Sequence, residues 1–322
     1  MCREFGPLLW PRPRRRTIRS RQPTADLPPL AEQRRIVAAV EALLARVQAA
    51  RAPLAKVPAL LKRFRQSVLA AEIVGELQSL GDVLIDLKYG TARKCDFEQK
   101  GVPVLRIPNI AAGFIDTSDL KYAELDPREF ESLSLRRGDV LMIRSNGSVS
   151  LLGKTAVVSD SEEAYAYAAY LMRLRLAPRH ADPGYLQFAL TAPDARDQIE
   201  LPARSTSGVH NINSEEVRQL RIPLPPLPEQ HKIVRRVEAL FALGDKIEAR
   251  VAAATLRVEK ITQAILAKAF RGELVPTEAE LARAEGRDYE PASVLLEGIR
   301  AERAVAEKTP ATGGKRLRSR KK

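Results

Sequence analysis

The sequence predicts an α+β protein: one globular α+β module held between two long helices that are copies of each other. Three observations carry this. A block of about 50 residues occurs twice at a fixed offset, both copies show a helical seam, and the stretch between them alternates short β-rich runs with turns.

The first copy opens at Leu27-Pro28-Pro29-Leu30-Ala31-Glu32-Gln33 and the second at Leu224-Pro225-Pro226-Leu227-Pro228-Glu229-Gln230, an offset of 197 residues. Ile36-Val37, Val40-Glu41-Ala42-Leu43 and Gly75-Glu76-Leu77 return without a gap as Ile233-Val234, Val237-Glu238-Ala239-Leu240 and Gly272-Glu273-Leu274. A repeat with one unrelated insert is a pair of matched arms, not a solenoid of short period. Within copy one, Ile36, Val40, Leu43, Val47, Ala50, Leu54, Val57, Leu61, Phe64 and Val68 follow a 4-3 spacing. Copy two repeats it with Ile233, Val237, Leu240, Gly244, Ile247, Val251, Ala254, Val258, Ile261 and Ile265. That is the heptad seam of a coiled coil, on helices roughly 50–60 Å long. The proline box suits a helix start, Glu32 and Glu229 suit the first turn, and Gly75 and Gly272 suit the ends. Pro53 and Pro58 lie inside the first arm alone and predict two helices there, or one bent helix.

Between the arms, strands are predicted at Val83–Leu87, Val102–Ile107, Val140–Arg144, Thr155–Val158 and Ala168–Leu176, with a short helix at Pro183–Thr191. The organisation that follows is a basic segment at 1–22, a first arm at 23–77, the module at 78–222, a second arm at 223–274, a helical extension at 275–307 and a basic tail at 308–322. The net charge of +13 sits wholly in the two ends, +6 in residues 1–22 and +7 in residues 308–322. Both ends are expected to be solvated and disordered, and the body is roughly neutral.

Composition and motifs argue against several function classes. Cys2 and Cys95 make no disulfide framework, and His180, His210 and His231 are scattered, so neither metal nor cofactor is expected. No apolar run reaches transmembrane length and the Arg-rich start has no signal-peptide core, so a cytoplasmic setting without a membrane partner is expected. There is no phosphate loop, no Asn/Asp-Pro-Pro-aromatic box and no nuclease-like carboxylate–Lys cluster; Ser145, Ser148 and Ser205 lack a nucleophile context. Enzymatic activity is not expected.

The module's loops instead carry the side chains that grip phosphates and read base edges. Tyr89, Thr91, Arg93 and Lys94 share the first loop, Arg106 and Asn109 flank Ile107-Pro108, and Arg144, Asn146 and Ser148 follow a strand, with Lys154 beyond. Arg204, Ser205 and Ser207 lead to His210, Asn211 and Asn213. Arg93, Lys94 and Lys154 are the expected phosphate contacts; Arg144, Asn146, Arg204, Asn211 and Asn213 are the expected base readers. Such residues also populate turns for purely local reasons.

The two boxes, the long helices and the run Ala269-Phe270-Arg271-Gly272-Glu273-Leu274 resemble the conserved regions of the specificity subunit of type I restriction–modification systems. The resemblance extends into the insert at Gly101-Val102-Pro103-Val104-Leu105-Arg106, Arg137-Gly138-Asp139-Val140-Leu141 and Asn211-Ile212-Asn213. It implies that residues 78–222 form a target recognition domain for double-stranded DNA and that the arms form an antiparallel coiled coil. It also implies docking of methyltransferase (M) subunits, which recruit the restriction (R) subunit. A full family member reads domain, helix, domain, helix, whereas this chain reads helix, domain, helix, tail. A first recognition domain is therefore expected to be lost, frameshifted or supplied by another chain. Self-association through the arms would pair two domains on an inverted-repeat target. Two other readings stay open: a remnant that binds methyltransferase without productive recognition, and a coiled-coil module whose insert binds protein.

Overall fold

The computed structural model describes residues 28–203 and 208–308. Both basic ends fall outside these residues, apart from the backbone of Lys308, as do Arg204, Ser205 and Ser207 of the expected site. In chain order the elements are α1 (Leu30–Glu72), β1 (Leu77–Ser79), β2 (Leu84–Tyr89), β3 (Val102–Leu105), α2 (Ile107–Ile110), β4 (Lys121–Ala123), α3 (Pro127–Leu133), β5 (Val140–Ile143) and β6 (Ser145–Asn146). They continue with β7 (Thr155–Val157), β8 (Ala166–Tyr167), β9 (Leu171–Leu176), α4 (Pro183–Thr191), α5 (Pro193–Ala203), β10 (His210–Asn211), α6 (Ser214–Gln219), β11 (Arg221–Pro223), α7 (Leu227–Phe270), α8 (Glu278–Glu285) and α9 (Ala292–Lys308). Compact packing divides them into two units, one within residues 28–50 and 257–308 and the other at 51–256.

The larger unit holds the α+β domain and the adjoining halves of both long helices. Its main sheet has the order β2-β9-β5-β7, every pair antiparallel. Strand β5 shows why the sheet is buried on both faces: Val140 and Met142 point into one core, Leu141 and Ile143 into the other. Side chains alternate across a strand, so four apolar residues in a row demand two covered faces. The first core is closed by α4, α5 and α6 together with Val68 and Leu69 of α1, Ile73 just beyond its end, and Ile233 and Val237 of α7. The second is closed by the three-stranded sheet β4-β3-β8 and by Ile110 and Leu133. Each such side chain contributes about 1.5–3 kcal/mol on burial. The domain is clasped at its ends, where β1 pairs antiparallel with β11 and joins the exit of α1 to the entry of α7.

The two helices pack antiparallel within this unit. Arg236 pairs with Glu72 at 2.9 Å, while farther along Arg65 bridges Asp245 (2.7 Å) and Glu248 (2.9 Å). Gly244 occupies a seam position where a Cβ would stand 3.9 Å from Leu61 and Phe64. Of the two alternatives predicted from Pro53 and Pro58, two separate helices are corrected: α1 is a single helix of 43 residues with both prolines inside it. Both are exposed. The carbonyls of Ala49 and Leu54, which each proline's missing N–H leaves free, are thus on the face that water can satisfy.

In the smaller unit α8 is fastened to the start of α1. Glu278 is buried between Arg35 (2.6 Å) and Arg287 (2.8 Å), and its backbone N–H donates to Glu32 (2.8 Å). These bonds hold the Glu278 carboxyl below its ordinary range, the Arg35 bond first and the Arg287 bond second. The predicted end of α7 at Gly272 is observed: its φ is +71°, its N–H donates to Ala269, and that of Glu273 donates back to Lys268. This is the left-handed Schellman close that glycine makes without strain.

Candidate nucleic-acid interface

One end of the main sheet gathers the polar groups. Because β9 runs antiparallel to both β2 and β5, the end of β2 at Tyr89, the start of β9 at Leu171 and the end of β5 at Ile143 coincide. Arg144 leaves the sheet there. Its backbone N–H donates to Tyr170 (3.0 Å) and its carbonyl accepts from Ile212 (2.9 Å). The chain then forms β6, which pairs antiparallel with β10 as His210 opposite Asn146 and Asn211 opposite Ser145. A two-stranded ribbon thus stands on the sheet end and carries Asn146, His210 and Asn211.

Arg144 is the centre of this end. Its guanidinium lies over the Tyr89 ring, 4.3 Å from the centroid, and Nη1 donates to the Ala169 carbonyl at 3.2 Å. The Tyr89 hydroxyl in turn accepts from the Ser214 N–H at 2.8 Å, which fixes the ring. Gly90 is obligatory beside it, since a Cβ there would lie 2.2 Å from the Tyr167 carbonyl oxygen and 2.4 Å from that of Ala168. Any side chain would push the end of β2 away from the segment it packs on.

Several expected contacts have internal duties instead. Asn109 is buried and saturated, accepting from the Arg106 N–H and donating to the carbonyls of Asp116 (2.8 Å) and Asp119 (3.0 Å). Arg106 pairs with Asp119 at 2.8 Å. Thr91 is buried, donating to Glu129 at 2.7 Å, and Arg93 meets the same carboxylate at 3.2 Å. Lys154 donates to the Ala111 carbonyl at 2.9 Å. Asn213 caps α6, accepting from the N–H groups of Glu215 and Glu216. Asn146 accepts from the Ser148 N–H, which leaves its amide N–H₂ for other partners, and Ser148 shares a hydrogen bond with Ser150. Lys94 and Asn211 are exposed. Of the expected residues, then, the sheet end unites Tyr89, Arg144, Asn146, His210 and Asn211, while Thr91, Arg106 and Asn109 hold loops together.

Sequence reasoning missed Tyr170, which is 61% exposed and stands at the same end. It fell inside the strand predicted from Ala168, where an aromatic reads as core; β9 begins only at Leu171. Among the described residues no cluster of His, Cys, Asp and Glu is arranged to hold a metal, and no helix is long and apolar enough to cross a membrane.

Comparison with known proteins bears on the same region. Residues 76–254 match the family model of the type I restriction modification DNA specificity domain. The chain is 37% identical over 317 residues to the specificity subunit of the type I restriction enzyme EcoKI of Escherichia coli K12. It is 35% identical over 315 residues to that of StySPI of Salmonella potsdam. Each alignment takes in 92% of this chain and 66% of the relative, so the chain spans slightly under two thirds of their length. A chain from a structure addressing complex assembly and conformational transition of the type I R-M system superposes with a TM-score of 0.63 at 26% identity. That likeness covers 77% of this chain and 61% of the other.

Proposed function

This chain belongs to the family of type I restriction–modification DNA specificity domains, and from that premise we propose that it is the non-catalytic subunit that selects the DNA on which its partners act. The α+β domain reads one half-site of double-stranded DNA through the end of its main sheet and the β6–β10 ribbon. The helical arms dock methyltransferase subunits, and through them the restriction subunit, in fixed register with the target. The observation that carries this reading is one recognition domain clasped between two matched arms, with Arg144, Asn146, His210 and Asn211 presented together at one sheet end. The groups left open there, an arginine and amides, are those that discriminate base edges in the major groove. Lys94, exposed in the first loop, supplies a phosphate contact, which positions the domain without reading sequence.

The test is co-expression with type I methyltransferase subunits followed by mapping of methylated adenines in the host DNA. Methylation at a defined motif is expected, and exchanging residues 77–223 for those of another family member should change part of that motif. A symmetric bipartite motif would mark two copies of this chain on one target, joined through their arms; an asymmetric one would mark a second recognition domain of different sequence. A stable complex that methylates nothing would sink the reading, as would DNA binding indifferent to salt, because phosphate contacts impose a salt slope.

A further inference from the structure

We propose that Arg144 selects a guanine within the half-site and that Tyr89 is the residue that positions it; this rests on the DNA-reading function proposed above. Arg93, Arg106, Arg137, Arg173, Arg175 and Arg196 of the same domain all meet carboxylates. Among the described residues Arg144 combines the want of a carboxylate partner with a buried, unbonded Nε. A half-buried cation with no counter-charge is unfavourable unless something compensates it. The Tyr89 ring compensates in part, as a cation over an aromatic face does. The remaining N–H groups of Nη1 and Nη2 are left for a ligand.

The geometry also says what that ligand must offer. The side chain is held from three directions: by the Tyr89 ring on one face, by the Ala169 carbonyl at Nη1, and by a main chain bonded both to Tyr170 and to Ile212. A guanidinium fixed in this way presents a fork of donors and no acceptor. Among major-groove edges only guanine offers two adjacent acceptors, N7 and O6; adenine places a donor beside its N7, and thymine has one acceptor beside a methyl group. Phosphate accepts the same fork bidentately, so what favours a base edge over the backbone is the company Arg144 keeps. The adjoining ribbon supplies Asn146 and Asn211, so the arginine lies among further base-reading groups and not at the rim.

The experiment is selection from a pool of randomised DNA duplexes by the full chain, followed by measurement of affinity and salt dependence on the enriched sequence. The unaltered chain should enrich a motif with guanine at one position. Arg144→Ala should erase the preference at that position alone and weaken binding of the guanine-bearing duplex by about 5- to 150-fold. Arg144→Lys keeps the charge and loses the fork, so it should retain the salt slope and lose the guanine preference. Tyr89→Phe keeps the ring but loses the bond from Ser214, so it should weaken the guanine preference less than Tyr89→Leu, which removes the ring and should blur that single position while sparing the others. Equal weakening on every sequence, with the salt slope reduced by about one, would make Arg144 a phosphate clamp and overturn the assignment. A motif unchanged by Arg144→Ala would overturn it with the DNA-reading function left standing. An unaltered chain that enriches no motif would remove both.

Discussion

Strand β9 and the end of β5 place three arginines on one sheet, and the three have different fates. Arg173 and Arg175 lie on the face that closes over the second core. Arg175 meets Asp139 with two parallel bonds of 2.7 Å, Asp139 also accepts from the Arg136 N–H, and Arg173 meets Asp86 and the Ser134 carbonyl. The Asp139 bonds hold the Arg175 guanidinium above its ordinary value, outweighing the opposing effect of burial. Arg144, at the end of the same sheet, has an aromatic ring and a carbonyl. Arginines whose charge is answered inside the domain maintain the fold; the one whose charge is left open is available for a ligand. This division yields a ranking of effects on stability that should run opposite to the ranking of effects on DNA selectivity.

The largest loss of stability is expected at Asp139, which is buried and carries both bonds to Arg175. Asp139→Ala leaves the half-buried Arg175 guanidinium and the Arg136 N–H without their acceptor and should cost about 3 kcal/mol or more, read as a fall in the urea midpoint. If it costs no more than a surface substitution, the distinction between answered and open arginines collapses.

Next comes a buried hydroxyl. Tyr185 is fully buried and donates to the Pro223 carbonyl at 2.8 Å, and burial pushes its pKa from 10.0 up to about 12. A group whose folded pKa is raised lends stability in full below its unfolded pKa and loses it as pH climbs through the folded one. Between pH 10 and 12 the protein should therefore lose up to about 3 kcal/mol from this residue. Tyr185→Phe should show a shallower loss over that window in urea titrations at stepped pH.

The two proline boxes allow a sharper test, because they share a sequence but not an environment. Gln33 donates to the Pro28 carbonyl and Gln230 to the Pro225 carbonyl, each at 2.8 Å. Gln230, however, is fully buried and also donates to the His180 carbonyl and accepts from the Asp182 N–H. Gln230→Ala should cost about 2–3 kcal/mol, since it leaves buried groups unpaired, and Gln33→Ala about 1 kcal/mol or less. Equal costs in thermal melts would mean that the box acts through its local turn alone.

How much of this was legible beforehand follows the same physics. The seam was, because heptad spacing is written in adjacent residues: all the predicted copy-one positions except Ala50 are at least partly buried, while Ile247 and Ile261 of copy two are exposed. Helix α4 was legible to the residue, with Asp182 as its cap and Pro183 at its first turn. The shorter helices carry equally local signals. Asn213 three residues before Glu216 is a capping box, and Asp126-Pro127 opens α3 in the way Asp182-Pro183 opens α4. Illegible were the properties set by distant partners. Nothing near Arg144 in sequence announces the Tyr89 ring, 55 residues away.

The smallest effect on stability is expected at Arg144 itself. Arg144→Ala forfeits the stack on Tyr89 and one bond to a carbonyl, but it also removes a buried Nε that has no partner. These oppose each other, so the net change should stay within about 1 kcal/mol. Measured beside Asp139→Ala in the same denaturation series, it should leave a fold almost as stable as the original with a blurred DNA preference. Asp139→Ala should do the reverse for whatever fraction remains folded, keeping its base preference while losing stability. A large destabilisation by Arg144→Ala would place that arginine with Arg173 and Arg175, among the residues that hold the sheet together.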